Sequence, residues 1–466
     1  MSEELLNEDM RTDVENTENQ NKMGVMPIGK LLMNISLPMM CSMLVQALYN
    51  IVDSIFVSKV CEDALTAVSL AFPMQSLMIA VGAGTGVGVN AMLSKSLGEH
   101  NEDNVKKAAT NGIFLSAISA VVFAIIGNVL AKVFYLGQTD SEIIIGYGVD
   151  YLSVICTCSF GMFGQFIFER LLQSTGKTVY TMVTQSVGAI INLILDPIFI
   201  FGLFGAPRLE VKGAAIATVI GQIVAAVLAL ILNIKKNDEV PLSFKKFVPN
   251  IEAIKRIYKV GVPSIIMQAI GSIMIYGLNK ILGTFSTTAV AVFGVYFKLQ
   301  SFIFMPVFGM NNGVIPIVAY NYGAKKRKRM LDTMKLGLVV ALCIMVCGTI
   351  LFELIPGVLL GFFNASDEML SMGIPALRII CLHFPIAAYC IIRMASFQAL
   401  GNGVYSMVVS ILRQLVVLLP AAYLLSLTGN VNNVWWAFPI AETMSALVST
   451  ICYNRIKKDV IMQISE

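Results

Sequence analysis

Long apolar stretches, separated by short polar breaks, recur along the whole chain. They fall at about 28–57, 65–93, 108–134, 144–169, 179–204 and 213–234, and again at about 254–283, 289–318, 333–356, 370–392, 403–427 and 433–454. Each is long enough to cross the hydrocarbon layer of a bilayer as a helix. The pattern therefore predicts an all-α polytopic membrane protein with twelve transmembrane helices. The one long polar break, with Lys235, Lys236, Asp238, Glu239, Pro241, Lys245 and Lys246, divides them into two lobes of six. The expected organisation is an acidic, disordered tail (1–26), an N-terminal lobe (27–234), a linker (235–250), a C-terminal lobe (251–456) and a short tail (457–466).

The two halves repeat at an offset of 225 residues. Pro38 maps onto Pro263, Phe72 onto Phe297, Gln75 onto Gln300, Ser76 onto Ser301, Gly84 onto Gly309, Gly88 onto Gly313, Val89 onto Val314 and Gly98 onto Gly323. Six helices per half keep both copies in the same orientation, so the repeat axis runs along the membrane normal, as in one class of secondary transporter.

Composition agrees: of 466 residues 56% are hydrophobic and only 13% charged, about half the charged share of a soluble domain. Two histidines and nine scattered cysteines supply neither a metal cluster nor a disulfide framework. Residues 1–20 hold seven acids and one base; this is the reverse of a signal peptide's basic start. Breaks on the side of the termini carry 25 Lys and Arg, and those on the other side only Lys59, Lys132, Arg208 and Lys212. The positive-inside rule then places both termini in the cytoplasm. The run Lys325–Arg329 is read as part of that signal, and no nucleic-acid partner is expected.

Charge inside the membrane costs at least about 2.5–3.5 kcal/mol, so intramembrane acids are candidates for function. Four stand out: Asp53, Glu169, Asp196 and Glu442. Gln46, Tyr49, Asn50 and Asp53 share one face of the first span. On the fifth, Asn192 and Asp196 lie one turn apart and Pro197 follows, which should bend the helix and free a carbonyl beside the carboxylate. Carboxylates, an amide and a carbonyl suit a proton or a small hard cation. Asp196 is expected to be the central coupling acid, with Asp53 as its partner. Glu169, followed by Arg170, marks either a helix end or a polar stripe with Gln165. Glu442, beyond the expected interfacial anchor Trp435-Trp436, is read as a structural hydrogen-bonding group. The second half instead carries bases: Lys280, Lys298, Arg378 and Arg413.

Several runs resemble the multidrug and toxic compound extrusion (MATE) family of secondary transporters. They are Leu37-Pro38 with Gln46, Tyr49 and Asp53; Asn192 to Pro197; Gly213 to Thr218; and Pro316 to Lys325. The resemblance spans about 27–455. It implies V-shaped packing of two lobes and export of organic, mostly cationic compounds in exchange for H+ or Na+. By motif position it implies a cation-coupling site at Asp53, Asn192, Asp196 and Thr218, which would hold a metal ion, through Asp53 and Asp196, only if Na+ is the driver. Gln46, Tyr49 and Glu169, with Asp196, are implied as substrate-binding residues, and Pro38 as a conformational hinge. An acid at 169 is similar to the Gram-positive multidrug branch. Helix seven offers Gln268, Gly271 and Lys280, and helix ten Arg378 and His383, where some members place further acids.

The expected protein is thus a monomeric antiporter of a bacterial-type plasma membrane, without cofactor, its partners being organic cations and the bilayer. The alternative is a lipid-linked oligosaccharide flippase of the same superfamily, for which Lys280, Lys298 and Arg413 speak and the first-lobe acids do not. A membrane enzyme is the third reading; His100 and His383 form no catalytic constellation.

Overall fold

The computed structural model describes residues 21–242, 247–363 and 365–464, so the acidic run 1–20 and Lys245-Lys246 of the linker lie outside the described residues. The chain is all-helical. The first lobe holds Ile28–Ser58, Glu62–Gly98, Glu102–Leu136, the bent pair Glu142–Thr157 and Phe160–Ser174, Thr178–Phe201 and Glu210–Lys236. The second holds Ile251–Gly283, Thr287–Gly323, Arg327–Leu354, the bent pair Asp367–Cys381 and Phe384–Ala399, a run from Gly403 to Ser426, and Ala437–Asp459. Among the described residues nine helices are long and apolar enough to cross a membrane, or 11 if each bent pair is one span. The twelfth stretch is helical but less apolar, since Glu442 and several Ser and Thr interrupt it.

Three spans depart from regular helix, two of them beside a proline. The fourth and tenth spans, expected to be single helices, bend by 43° and 47°. In the tenth, Pro385 cannot donate to Cys381 and the helix restarts at Phe384. In the eleventh, Leu412–Leu418 is a π-helix that leads into Pro420, another residue without a donor. The fifth helix, by contrast, runs unbroken through Pro197 to Phe201 and stops at left-handed Gly202.

The repeat is visible in detail. Cys61 Sγ caps the second span by accepting from Ala64 N (3.3 Å), and Ser286 Oγ, its counterpart, caps the eighth by accepting from Ala289 N (3.0 Å). The duplicated glycines sit where the lobes touch. A methyl on Gly84 would lie 2.8 Å from Ile265 N, and one on Gly309, its counterpart, 2.6 Å from Met40 N. Gly88 packs on Ile257 and Gly261, Gly313 on Ser36; Gly98 packs on Tyr320, Gly323 on Lys95. Every one of these contacts lies in the halves of the first, second, seventh and eighth spans nearest the termini. The opposite halves carry exposed apolar groups, among them Ile51, Ile55, Phe72, Ile273 and Phe297. The lobes therefore meet at the end that bears the termini and part towards the other.

Three further expectations are corrected. Residues 21–26 are not part of a disordered tail: Lys22–Val25 is a short helix, with Met23 fully buried. Asn321 Nδ2 and Arg329 Nη2 donate to Met23 O at 3.0 Å each, Arg329 Nη2 to Met26 O (2.7 Å) and Lys326 Nζ to Gly24 O (2.9 Å), while Asn21 Nδ2 donates to Glu239 of the linker. The segment straps both lobes together. Burial, with Lys177 nearby, lowers the Lys22 ammonium below the ordinary lysine value, and burial with Arg329 does the same for Lys326. Trp435, paired with Trp436 as an interfacial anchor, is fully buried in the second-lobe core; only Trp436 is exposed. The final helix also continues to Asp459 and Ile461 is buried, so 457–466 begins inside a helix.

Candidate functional site

The first span and the fifth and sixth helices bring Tyr49, Asp53, Asn192, Asp196 and Thr218 together. Asp196 is fully buried and Asn192 nearly so. With its amide oriented to satisfy both ends, Asn192 donates to Asp196 Oδ2 at 2.9 Å and accepts from Thr218 N at 3.0 Å and Thr218 Oγ1 at 3.1 Å. The 3.6-residue period puts Asn192 and Asp196 on one face, and Gly221 lets the sixth helix approach it, since a methyl there would lie 3.3 Å from Asn192 Cβ. Tyr49 lies near Thr218, and the carboxyls of Asp53 and Asp196 are neighbours. Asp53 Oδ1 is buried with no partner. Two opposed carboxylates with an orphaned oxygen call for a shared proton or a cation between them.

Two further groups complete the pocket and were not singled out from the sequence as site residues. Tyr151 is buried beside Asp53 and Tyr49, and its hydroxyl accepts from Gln75 Nε2 at 2.9 Å. Gln75 carried a signal, as one of the residues duplicated in the second half.

Other expected residues lie elsewhere. Glu169 is buried among Gln165 Nε2 (3.0 Å), Thr184 Oγ1 (2.9 Å) and Gln185 Nε2 (2.7 Å), which all donate to it. At 1.5 Å per residue, Gln185 is about 16 Å along the fifth helix from Asp196, so the structure separates Glu169 from the acid pair. Its neighbour Arg170 turns away to donate to Gln173 Oε1 (2.8 Å) and Asn312 Oδ1 (3.1 Å) of the second lobe. Gln46 is exposed on the first span. Pro38 is buried about 22 Å from Asp53 along the same span, at the level where Met39 and Met40 pack on Gly309; Ser42 Oγ back-bonds to its carbonyl at 3.0 Å.

The second lobe holds a separate cavity of about 350 Å³. Glu442, expected to be a structural hydrogen-bonding group, borders it and is ion-paired with Arg413 Nη1 at 3.3 Å.

Comparison with known proteins agrees with this geometry. The MatE family model matches residues 38–198 and again 263–424, starting at Pro38 and at its repeat counterpart Pro263. The multidrug export protein MepA of Staphylococcus aureus (strain MSSA476) is 26% identical over 451 residues, covering 94% of this chain and 96% of its own. MepA of Staphylococcus haemolyticus (strain JCSC1435) is 27% identical over 430 residues, covering 91% and 92%. The outward-facing structure of a multidrug resistance MATE family transporter of the MOP superfamily superposes with a TM-score of 0.89 at 25% identity, covering 96% of this chain and 99% of that one. With the repeat, the intramembrane acid pair and a family match in both lobes, this multi-pass membrane protein belongs to the MatE family of transporters.

Proposed function

We propose that the protein is a multidrug exporter of the bacterial cell membrane that moves amphipathic organic cations outward in exchange for H+ or Na+. The observation that carries this reading is the facing pair of half-buried Asp53 and fully buried Asp196, with one orphaned carboxylate oxygen. A site that must hold either a proton, a small cation or a drug cation binds them in competition, and alternating access turns that competition into exchange. Asn192, Thr218 and Tyr49 shape the pocket, Gln46 lies on its open approach, and Pro38 is the hinge at the lobe contact. The relatives, both multidrug export proteins, support the drug substrate. The Lys and Arg bias supports cytoplasmic termini, and the polar break 235–250 supports a division into lobes at 27–234 and 251–456, functioning as one monomer.

The test uses inside-out vesicles with an acidic lumen in sodium-free buffer. Added ethidium should dissipate the pH gradient, and Asp196→Asn should abolish the effect while the protein stays folded. Dye uptake only with a sodium-loaded lumen would make the pocket a Na+ site. Failure under both gradients would overturn the antiport reading in favour of a lipid-linked oligosaccharide flippase.

A further inference from the structure

The second-lobe cavity is the repeat counterpart of the acid pocket with different chemistry. Gly271, Met274 and Gln300 stand where Gln46, Tyr49 and Gln75 stand in the first lobe, and all three line it. Leu278 occupies the position of Asp53. The acid has gone, and Gly271 stands without a side chain where the first lobe carries Gln46; the nearest side-chain atom to a methyl there would be Gln414 Oε1, at 3.8 Å.

The polar groups that replace the acids come from the π-helix, a distortion of the kind found often at functional sites. It presents Arg413 and Gln414 to the cavity. Glu442 is the one acid in the lining, and both its oxygens face a single nitrogen, Arg413 Nη1, at 3.5 and 3.3 Å. The Glu442 side chain is 4% exposed and that of Arg413 23%. The charge a ligand meets is therefore the guanidinium, which has further N–H donors beyond the one spent on Glu442.

The walls are aromatic. Phe438 packs on Tyr296 and His383 with ring centroids 5.8 Å apart in each case. The Tyr296 hydroxyl is buried without a partner. Phe297 and Phe308, at 40% and 41% exposed, form an open rim.

We infer that this cavity is a second binding site, which takes aromatic compounds bearing a carboxylate, the carboxylate on Arg413 and the ring among Tyr296, Phe304 and Phe438. Arg matches a carboxylate with two parallel donors, and Tyr296 and Gln414 supply neutral groups for the rest of the ligand.

The test compares fluorescent dansylglycine with its methyl ester on the full chain in nanodiscs. A charge-assisted hydrogen bond corresponds to roughly tenfold in affinity or more, so the acid should bind at least about tenfold more tightly than the ester. Arg413→Gln should abolish that preference, Arg413→Lys should keep part of it, and Asp196→Asn should leave it intact, since that acid belongs to the other lobe. Should Arg413→Gln fail to fold with Glu442 unpaired, Gly271→Leu fills the cavity without touching the ion pair and should lose dansylglycine while ethidium still binds. Equal binding of acid and ester, or a preference that survives Arg413→Gln or Gly271→Leu, would overturn the assignment.

Discussion

Gly98 and Gly323 lie against each other's helices across the lobe boundary, so that a methyl group on either would overlap a backbone carbonyl, of Tyr320 for the first and of Lys95 for the second. Backbone cannot give way as a side-chain end can. Overpacking of this kind costs about 1–3 kcal/mol, and the cost falls only on the state in which the lobes touch at the end of the termini. Gly98→Ala and Gly323→Ala should each shift the population towards opening at that end. In a cysteine-free background carrying Ser36→Cys at the same boundary, either change should speed labelling by a thiol reagent applied from the termini side.

The strap formed by residues 21–26 should respond to Arg329. One guanidinium nitrogen, Nη2, serves both Met23 O and Met26 O; its loss leaves Met23 O with Asn321 alone and removes the donor to the half-buried Met26 carbonyl, at about 1 kcal/mol. Arg329→Gln should raise amide hydrogen exchange in this segment while the spans remain protected. The charged form of Lys22 is disfavoured when docked. Docking therefore becomes easier as pH rises through the lowered Lys22 value, and exchange in the segment, corrected for its intrinsic pH dependence, should fall in that direction.

Glu169 and Asp196 should separate by readout. Three side chains donate to the Glu169 carboxylate, so Glu169→Gln puts an NH2 against donors and should cost about 1–3 kcal/mol, lowering Tm with less than about a threefold change in ethidium affinity. Asp196→Asn should do the opposite, with Tm near that of the parent and ion-coupled export gone.

Asp53 and Asp196 should also fail to add. If the two carboxyls bind one ion as a unit, Asp53→Asn and the double variant Asp53→Asn/Asp196→Asn should both lower coupled transport by at least about tenfold, and the double should be no worse than Asp196→Asn alone. Vesicle transport rates for the four proteins close the cycle.

Much of this was legible in the residues. Apolar length located the spans, and the spacing of Asn192, Asp196 and Asp53 located the acid pocket, because a bilayer penalises charge so heavily that an intramembrane acid advertises itself. The duplicated glycines were legible as a pattern, but their place at the lobe contact was not, since what makes them necessary is backbone from the other lobe. Glu169 showed the limit of local reading: its donors Thr184 and Gln185 come from the next helix, and no spacing within its own helix reveals them. The Arg413–Glu442 pair joins two spans in the same way. Residues 21–26 read as tail because the groups that hold them, Asn321, Lys326 and Arg329, lie some 300 positions along the chain.

The paired glycine contacts have one more consequence. A surface that meets a rotated copy of itself is isologous, the geometry of a two-fold homodimer, and here both halves share one backbone. A true homodimer must carry the same residue at both copies of a position. Covalent fusion removes that constraint, so one half can keep Asp53 while the other turns the same position into Leu278, giving one symmetric clasp two pockets of unlike charge.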